Sequence, residues 1–273
     1  MTHISSSSLS SSSSSSSLNP RPPPKKNNTL FFLFQVSKVL SNEQCAQPFD
    51  DFALTSAGVP YNPLSNKAGA IMAAALVRTK FSKQVQAFNS IERLLTLCTG
   101  GRSPVGFDNA VYLSEIGVSA RGMALAHFMA ERAPFLGRMN IRQVLELYTS
   151  ACSITTSING LAALAGTFAC EGRNPVSGVQ VFEPTLARDV LSLMYNCGMY
   201  DYSGRFAFEV GIPAKSSMSG AMFLSVPGKF GIAIWSPRLD SHGNSVRGLR
   251  VAEDLIQAIP SLHVFSGLQP TTN

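Results

Sequence analysis

The sequence predicts an α+β fold in which an antiparallel sheet with flanking helices lies beside a helical subdomain. Apolar residues recur at helical spacing through the middle of the chain, whereas the segments after Cys197 read mainly as short apolar strands. Helices and strands that are segregated along a chain in this way are typical of α+β domains. The 273 residues are 45% hydrophobic, which is enough for one large core or two small ones.

The first 28 residues are predicted to be a disordered leader, and residues 29–268 to form the folded domain. Residues 5–17 are almost all Ser, and a Pro-rich stretch follows them. Neither piece can bury enough apolar surface to offset the entropy lost on ordering. A Ser-rich head without acidic residues is also found in organelle transit peptides. The compartment therefore stays open between cytoplasm and mitochondrion.

The elements between residues 29 and 196 are predicted to be mainly helices. Residues 29–40 form either a buried strand or the start of a core helix. Helices follow at 68–78, 83–96, 119–133, 141–149, 155–169 and 187–196. The apolar side of the second of these helices is formed by Val85, Phe88, Ile91, Leu94 and Leu95. His127 lies in a helical run and is interpreted as a packed side chain.

The last part of the chain changes to strands. Strands are predicted at 206–212, 221–226 and 230–235, the last two joined as a hairpin by Pro227-Gly-Lys. A final amphipathic helix is predicted at 245–259. Gly198 directly follows a predicted helix and takes the place of its C-terminal glycine.

Charge and cysteine usage exclude several classes of function. The formal net charge is +6, but four of the basic residues lie in the acid-free segment 1–38, so the rest is nearly neutral. Basic and aromatic residues are not interleaved, which argues against nucleic-acid binding. No apolar run reaches the roughly 20 residues of a membrane span. The five Cys and four His residues show no metal-ligand spacing. The sequence predicts no metal and no cofactor.

The segment 197–220 is poor core material, because it places tyrosines, a lysine and several serines among glycines. Such segments form loops, and loops on a rigid scaffold often carry chemistry. Within it, Lys215 precedes Ser216 just before the predicted hairpin. A Lys and a hydroxyl on a sheet edge also line the cleft of penicillin-binding acyl hydrolases.

Longer motifs give a more specific resemblance. Cys197-Gly-Met-Tyr-Asp-Tyr-Ser-Gly is followed by Gly211-Ile-Pro-Ala-Lys-Ser, Trp235-Ser-Pro-Arg-Leu-Asp and Gly243-Asn-Ser-Val-Arg-Gly. Together with Asp108-Asn-Ala and Cys152-Ser-Ile, these motifs resemble the serine-dependent glutaminases, which have a β-lactamase-like fold. The resemblance covers about residues 60–258.

The resemblance implies hydrolysis of L-glutamine to L-glutamate and ammonia. In such enzymes the serine of a Ser-x-x-Lys motif attacks the amide carbonyl, the lysine acts as base, and water releases the acyl-enzyme. The resemblance also implies L-glutamine as the small-molecule partner and a homo-oligomer, either a dimer or a tetramer.

The resemblance also assigns roles to single residues. Substrate-binding positions are matched by Asn66, Glu115, Gly122, Tyr148, Tyr200 and Met218. Glu115 corresponds to the carboxylate that holds the substrate ammonium, and Tyr200 to the tyrosine that relays a proton beside the nucleophile. Gly122 stands where a second substrate-binding Asn is expected, and Met218 where a backbone contact is expected.

The nucleophile motif departs from the family pattern. No Ser in the chain has a Lys three residues later, and the nearest remnant is Phe34-Gln-Val-Ser-Lys. Aligning Lys38 with the family lysine places Gln35 at the nucleophile position, whereas a one-residue deletion leaves Ser37 beside Lys38. Adjacent residues on a helix do not face each other. The chain as written is therefore expected to hydrolyse little or no glutamine. Ser37 and Lys38 remain the candidate nucleophile and base.

Two further departures and three hypotheses follow. Lys67 is an extra residue that is expected to turn Asn66 away from the substrate, and Ser217 replaces a glycine. The first hypothesis is a glutaminase by descent. The second is an inactive or truncated relative that serves as a binding or assembly module. The third is a penicillin-binding type of acyl hydrolase, which β-lactam probes would acylate.

Overall fold

A computed structural model describes residues 39–268, and the first part of this range is mainly helical. Its helices are α1 (Lys67–Arg78), α2 (Gln84–Cys98), α3 (Asn109–Gly117), α4 (Ala120–Arg132), α5 (Pro134–Gly137), α6 (Ile141–Cys152) and α7 (Ile158–Ala169). Several begin at a side chain that caps backbone N–H groups, as Asp108 does for α3 and Ser157 for α7. Two short strands, β1 (Val105–Phe107) and β2 (Ile154–Thr156), pair antiparallel beside these helices.

The second part carries the main sheet. It contains α8 (Pro184–Cys197), a 3₁₀ turn (Tyr200–Tyr202), α9 (Ser203–Glu209), β3 (Ala214–Ser216), β4 (Ala221–Val226), β5 (Phe230–Trp235) and α10 (Val246–Ala258). The strands are antiparallel in the order β3-β4-β5, with Lys215 opposite Phe223 and Phe223 opposite Ala233. The predicted hairpin and the final helix are confirmed.

Helix α7 packs tightly on the sheet through glycine. A Cβ added at Gly231 of β5 would lie 2.1 Å from the backbone N of Gly166 of α7. Real Cβ atoms do not approach other atoms so closely, so the missing side chain lets helix and strand meet. This contact joins the helical part of the chain to the sheet.

Two buried clusters form the cores of the two parts. The helical core is formed by α1, α4, α5 and α6, with Ile71, Met72, Leu125, Met129, Leu136 and Val144 at its centre. The sheet core is covered by α9 and α10 and contains Met199, Phe206, Val210, Ile212, Met222 and Leu224. The predicted α+β organisation, with a helical subdomain beside a sheet, is confirmed.

The predicted strand at 206–212 is wrong, because α9 extends to Glu209. Phe206 and Val210 are buried, whereas Phe208 between them is 87% exposed. On a strand, Phe206 and Phe208 would share a face, but on a helix residues four apart share it instead. The alternating aromatic residues suggested the period of a strand, and packing follows the period of a helix.

One further expectation fails, and two hold only in part. The predicted apolar face of α2 is partly open, since Val85 is 59% and Leu94 41% exposed. His127 is exposed on α4 and is not packed. Gly198 has φ −74°, so it does not provide a left-handed helix end. A Cβ at Gly198 would lie 1.7 Å from the carbonyl oxygen of Ala214. The glycine is therefore required for the close approach of β3.

The predicted leader and most of the predicted element at 29–40 lie outside the described residues. Val39 and Leu40, the first residues described, pack against the helical core. Within residues 39–268, no helix has the length and apolar character needed to cross a membrane.

Candidate active site

A cavity of about 630 Å³ lies between the helical part and the sheet. Its walls come from α3, the end of α6, β2 and α7 on one side and from β3, β4 and β5 on the other. Residues that line it include Val111, Cys152, Leu161, Lys215, Phe223 and Trp235. Polar residues, among them Asp108, Lys215 and several Ser and Thr, line the cavity together with these apolar side chains. Pockets that combine apolar surface with placed polar groups are typical binding sites.

Tyr200 is held beside this cavity in an unusual backbone conformation. Its φ is +56°, which is uncommon outside glycine and costs about 1–3 kcal/mol. The Ser203 hydroxyl donates to the Tyr200 carbonyl at 2.6 Å and accepts from the Met199 N–H at 3.0 Å. The ring of Phe49 packs edge-on against the Tyr200 ring, with centroids 5.8 Å apart.

The Tyr200 hydroxyl points toward β3. It donates to the carbonyl oxygen of Ser216 at 3.4 Å, a long and weak hydrogen bond. Burial raises the pKa of Tyr200 above its usual value, so the phenol stays protonated at neutral pH. A protonated hydroxyl that is weakly held is suited to exchange its proton with a ligand.

Lys215 supplies a cation at the same wall. Its Nζ lies 4.4 Å from the centroid of the Tyr200 ring and also donates to the Ser216 carbonyl. This cation–π contact fixes the two side chains relative to each other. Burial lowers the pKa of Lys215 to about 8, because the charged ammonium loses hydration. The Tyr200–Lys215 pair therefore places a protonated phenol next to an amine whose pKa is about 8.

Replacing Lys215 with Met is expected to stabilise the fold at pH 7 by about 1–3 kcal/mol. The folded-state pKa of about 8 lies below the value of 10.5 for a free lysine. The unfolded state therefore binds more protons between these values, and the wild type gains stability as pH rises through this range. The advantage of Lys215→Met should shrink toward pH 10. Urea unfolding at pH 7 and pH 10 measures it, and a pH-independent difference between the two proteins would contradict the assignment.

A second polar cluster lies near the end of α6. Tyr148 and Cys152 lie one helical turn apart on α6 and share a helix face. Burial is the main cause that raises the pKa of both groups, and the negative charge of Glu115 adds to it. Cys152 is an exposed residue that lines the cavity. Its thiol nevertheless has protein atoms close around it. The Glu115 charge acts on both Tyr148 and Cys152, so these three residues lie in one neighbourhood.

The comparison with known proteins identifies the family. The model of the glutaminase family matches residues 33–265. The chain belongs to the glutaminase family. It is 42% identical over 220 residues to a putative glutaminase of Caenorhabditis elegans, which covers 80% of this chain and 37% of that protein. It is 34% identical over 234 residues to the mitochondrial liver isoform of mouse glutaminase, which covers 86% and 38%.

Solved structures show the same fold for this glutaminase-family chain. A probable glutaminase from Bacillus subtilis superposes with a TM-score of 0.77 at 27% identity, covering 85% of this chain and 76% of the other. The predicted β-lactamase-like architecture is thereby confirmed. The chain spans well under half the length of the two curated relatives.

Two of the substrate positions expected for a glutaminase are buried within the helical part. Asn66 is fully buried as the cap of α1, where its Oδ1 accepts from the Ala68 N–H at 3.0 Å. Lys67 begins α1 and pairs with Asp50 at 3.8 Å. Gly122 is buried on α4, where a Cβ would lie 3.7 Å from Leu145 in the helical core. Their assignment to substrate therefore remains a prediction.

The remaining glutaminase positions fall into two groups. Lys215 lines the cavity on its sheet side, Tyr200 contacts Lys215, and the exposed Met218 follows in the β3–β4 turn. Tyr148 and Glu115 lie near Cys152 at the helical side. Ser37 and Lys38 lie outside the described residues. Among residues 39–268, no three His, Cys, Asp or Glu side chains cluster closely enough to hold a metal ion.

Sequence reasoning missed Cys152 as a cavity residue. Three of the cysteines, Cys45, Cys98 and Cys197, are buried. Cys152 instead faces the cavity. The available signal was its spacing, since Tyr148 and Cys152 lie four residues apart on α6 and such residues share a helix face.

Proposed function

We propose that this chain hydrolyses the side-chain amide of L-glutamine to L-glutamate and ammonia in the cavity between the helical part and the sheet. The observation that carries the proposal is the Tyr200–Lys215 pair at the cavity, within a chain of the glutaminase family. An amide is a poor electrophile, so its hydrolysis requires proton transfer and an activated nucleophile. The described residues supply the first of these.

The proposed chemistry proceeds in two steps. The Ser37 hydroxyl attacks the amide carbon and loses its proton, and the C–N bond breaks as the leaving nitrogen takes up a proton to form ammonia. Water then attacks the acyl-enzyme ester, which releases L-glutamate and returns a proton to Ser37. Tyr200 is placed to relay the proton, because burial keeps its hydroxyl protonated. Lys38 is the proposed base.

The cavity offers complementary groups for the ends of glutamine. Glu115 is the proposed partner of the substrate ammonium, and Tyr148 orients it through a hydroxyl. The apolar side chains of Val111 and Leu161 suit the methylene groups of the substrate.

Turnover is expected to be slow. Ser37 and Lys38 are adjacent in the sequence, and adjacent side chains do not face each other on a helix. A base that is not aligned with the nucleophile cannot accept its proton efficiently, so a rate acceleration of about 10²–10⁴ is lost.

A second candidate function is a glutamine-binding module without turnover. It is favoured by the absence of any Ser-x-x-Lys in the sequence. In the described structure, the Asn66 amide is also already bonded within the protein. Such a module would bind the substrate in the same cavity and leave it intact.

The experiment that separates the two functions measures binding and product in one sample. The full chain is incubated with radiolabelled L-glutamine, and bound ligand and labelled glutamate are followed over hours. Slow formation of glutamate, absent with D-glutamine, supports the proposed hydrolysis. Saturable binding without glutamate supports the second candidate. Neither binding nor product from a folded sample contradicts both.

A further inference from the structure

A loop after β5, Asp240–Asn244, is bonded to the two residues that flank Tyr200 in the sequence, Met199 and Asp201. The Asn244 Nδ2 donates to the carbonyl of Met199 at 3.3 Å. The His242 Nδ1 lies 3.0 Å from the Asp201 Oδ1. One loop is therefore bonded immediately before and immediately after the tyrosine that carries the proposed proton relay.

The loop is itself closed and rigid. The Asp240 carboxylate accepts from the backbone N–H groups of His242 at 2.9 Å and Asn244 at 2.8 Å. The Asp240 N–H also donates to the Asn244 carbonyl at 2.8 Å. Because these bonds fix the loop internally, a shift of His242 or Asn244 moves the whole loop.

The tip of the loop reaches the site. Gly243 has φ +87°, and a Cβ there would lie 2.8 Å from the Sδ of Met218 and 3.7 Å from the Cε2 of Tyr200. A side chain at this position would crowd the Met218 sulfur and would touch the Tyr200 ring at ordinary van der Waals distance. Gly243 therefore lies close to the edge of the Tyr200 ring.

Tyr200 needs such support because of its backbone. A non-glycine residue in the left-handed region persists only where its surroundings hold it there. Ser203 holds it from the C-terminal side, and Gln44 Nε2 donates to its carbonyl at 3.1 Å. The loop adds bonds at Met199 and Asp201, which fix the two flanking peptide segments.

We propose that His242 is a positioning residue for Tyr200, acting through Asp201, and that the loop Asp240–Asn244 clamps the tyrosine in its strained conformation. The part of this inference that concerns rate rests on the proposed glutamine hydrolysis, whereas the clamp itself does not. Asp201 and His242 are 52% and 40% exposed, so the pair makes a modest contribution. The Tyr202 ring, with its centroid 5.5 Å from that of His242, completes the surroundings of the imidazole.

The clamp is tested by hydrogen exchange in the full chain with His242→Ala. The amides of Met199, Tyr202 and Ser203 donate within this turn and should exchange about two- to five-fold faster, as expected for loss of an exposed pair. His242→Asn should restore slow exchange, because its side-chain nitrogen replaces Nδ1. His127→Ala, an exposed histidine on α4, is the control. Unchanged exchange in His242→Ala would overturn the proposal.

The kinetic constants kcat and KM provide a second test, because a general loosening of the structure would not lower kcat alone. Glutamate formation by His242→Ala should show kcat lowered about two- to five-fold, as for the exposed pair, with KM unchanged, and His242→Asn should recover it. A raised KM at unchanged kcat would overturn the positioning role. If exchange accelerates but no variant forms glutamate, the clamp stands and the proposed hydrolysis fails.

Discussion

Replacing Tyr200 with Phe is expected to slow glutamate formation from L-glutamine by about 10²-fold or more. The substitution removes the hydroxyl that is proposed to relay the proton, and positioned proton transfer contributes about 10²–10⁴. Affinity for L-glutamine should change little, because the ring and its contacts with Phe49 and Lys215 remain. The measurement is product formation from labelled L-glutamine at saturating substrate.

Tyr195→Phe is the matched control. The Tyr195 hydroxyl donates to the carbonyl of Ala207 at 3.2 Å and lines a different groove, next to Phe265. Its loss should leave turnover within about two-fold, as is usual for changes away from the reacting groups. Equal turnover in wild type and Tyr200→Phe would exclude the relay role. Stability should be nearly unchanged in Tyr200→Phe, since the bond to Ser216 is long.

Replacing Gly198 with Ala is expected to lower the free energy of unfolding by about 3 kcal/mol or more. The added Cβ would lie 1.7 Å from the carbonyl oxygen of Ala214 and 2.6 Å from that of Met194. Both atoms belong to backbone, of β3 and α8, which cannot turn away as a side chain can. Relief requires β3 to move, and β3 carries Lys215. Urea denaturation measures the loss.

Gly204→Ala controls for the general effect of removing a glycine. Nothing lies within 4 Å of a Cβ at Gly204, and its position within α9 favours Ala by about 0.5–1 kcal/mol. The control should therefore be neutral or stabilising. Similar stability of Gly198→Ala and wild type would show that α8 and β3 do not meet as described.

The parts of the fold that the sequence predicted are those whose signal is local. Helices α1, α4 and α6 show apolar residues at helical spacing, and the β4–β5 hairpin carries Pro-Gly at its turn. The strand predicted at 206–212 is wrong because its three alternating apolar residues fit both the period of a strand and the period of a helix. Packing against Met222 and Leu224 decided between them, and the sequence alone does not show this contact.

The site residues divide in the same way, into those with a local sequence signal and those that only the fold brings together. Tyr200 and Lys215 were found because they lie in one motif-rich segment. The pair of His242 with Asp201 was not, because 41 residues separate them and only the fold brings them together. Asn66 was expected to turn away from substrate because Lys67 follows it. Asn66 caps α1 with its side chain, and its role toward substrate stays a prediction.

The most direct measurement is glutamate formation by the full chain after Gln35→Ser. This change creates a serine three residues before Lys38, which restores the Ser-x-x-Lys spacing that the family resemblance implies. If the cavity is a glutaminase site that lacks only an aligned nucleophile, turnover should rise about 10²-fold or more over wild type. Tyr200→Phe should then abolish the gain. A folded Gln35→Ser variant that binds L-glutamine no better than D-glutamine and forms no glutamate would contradict the proposed function.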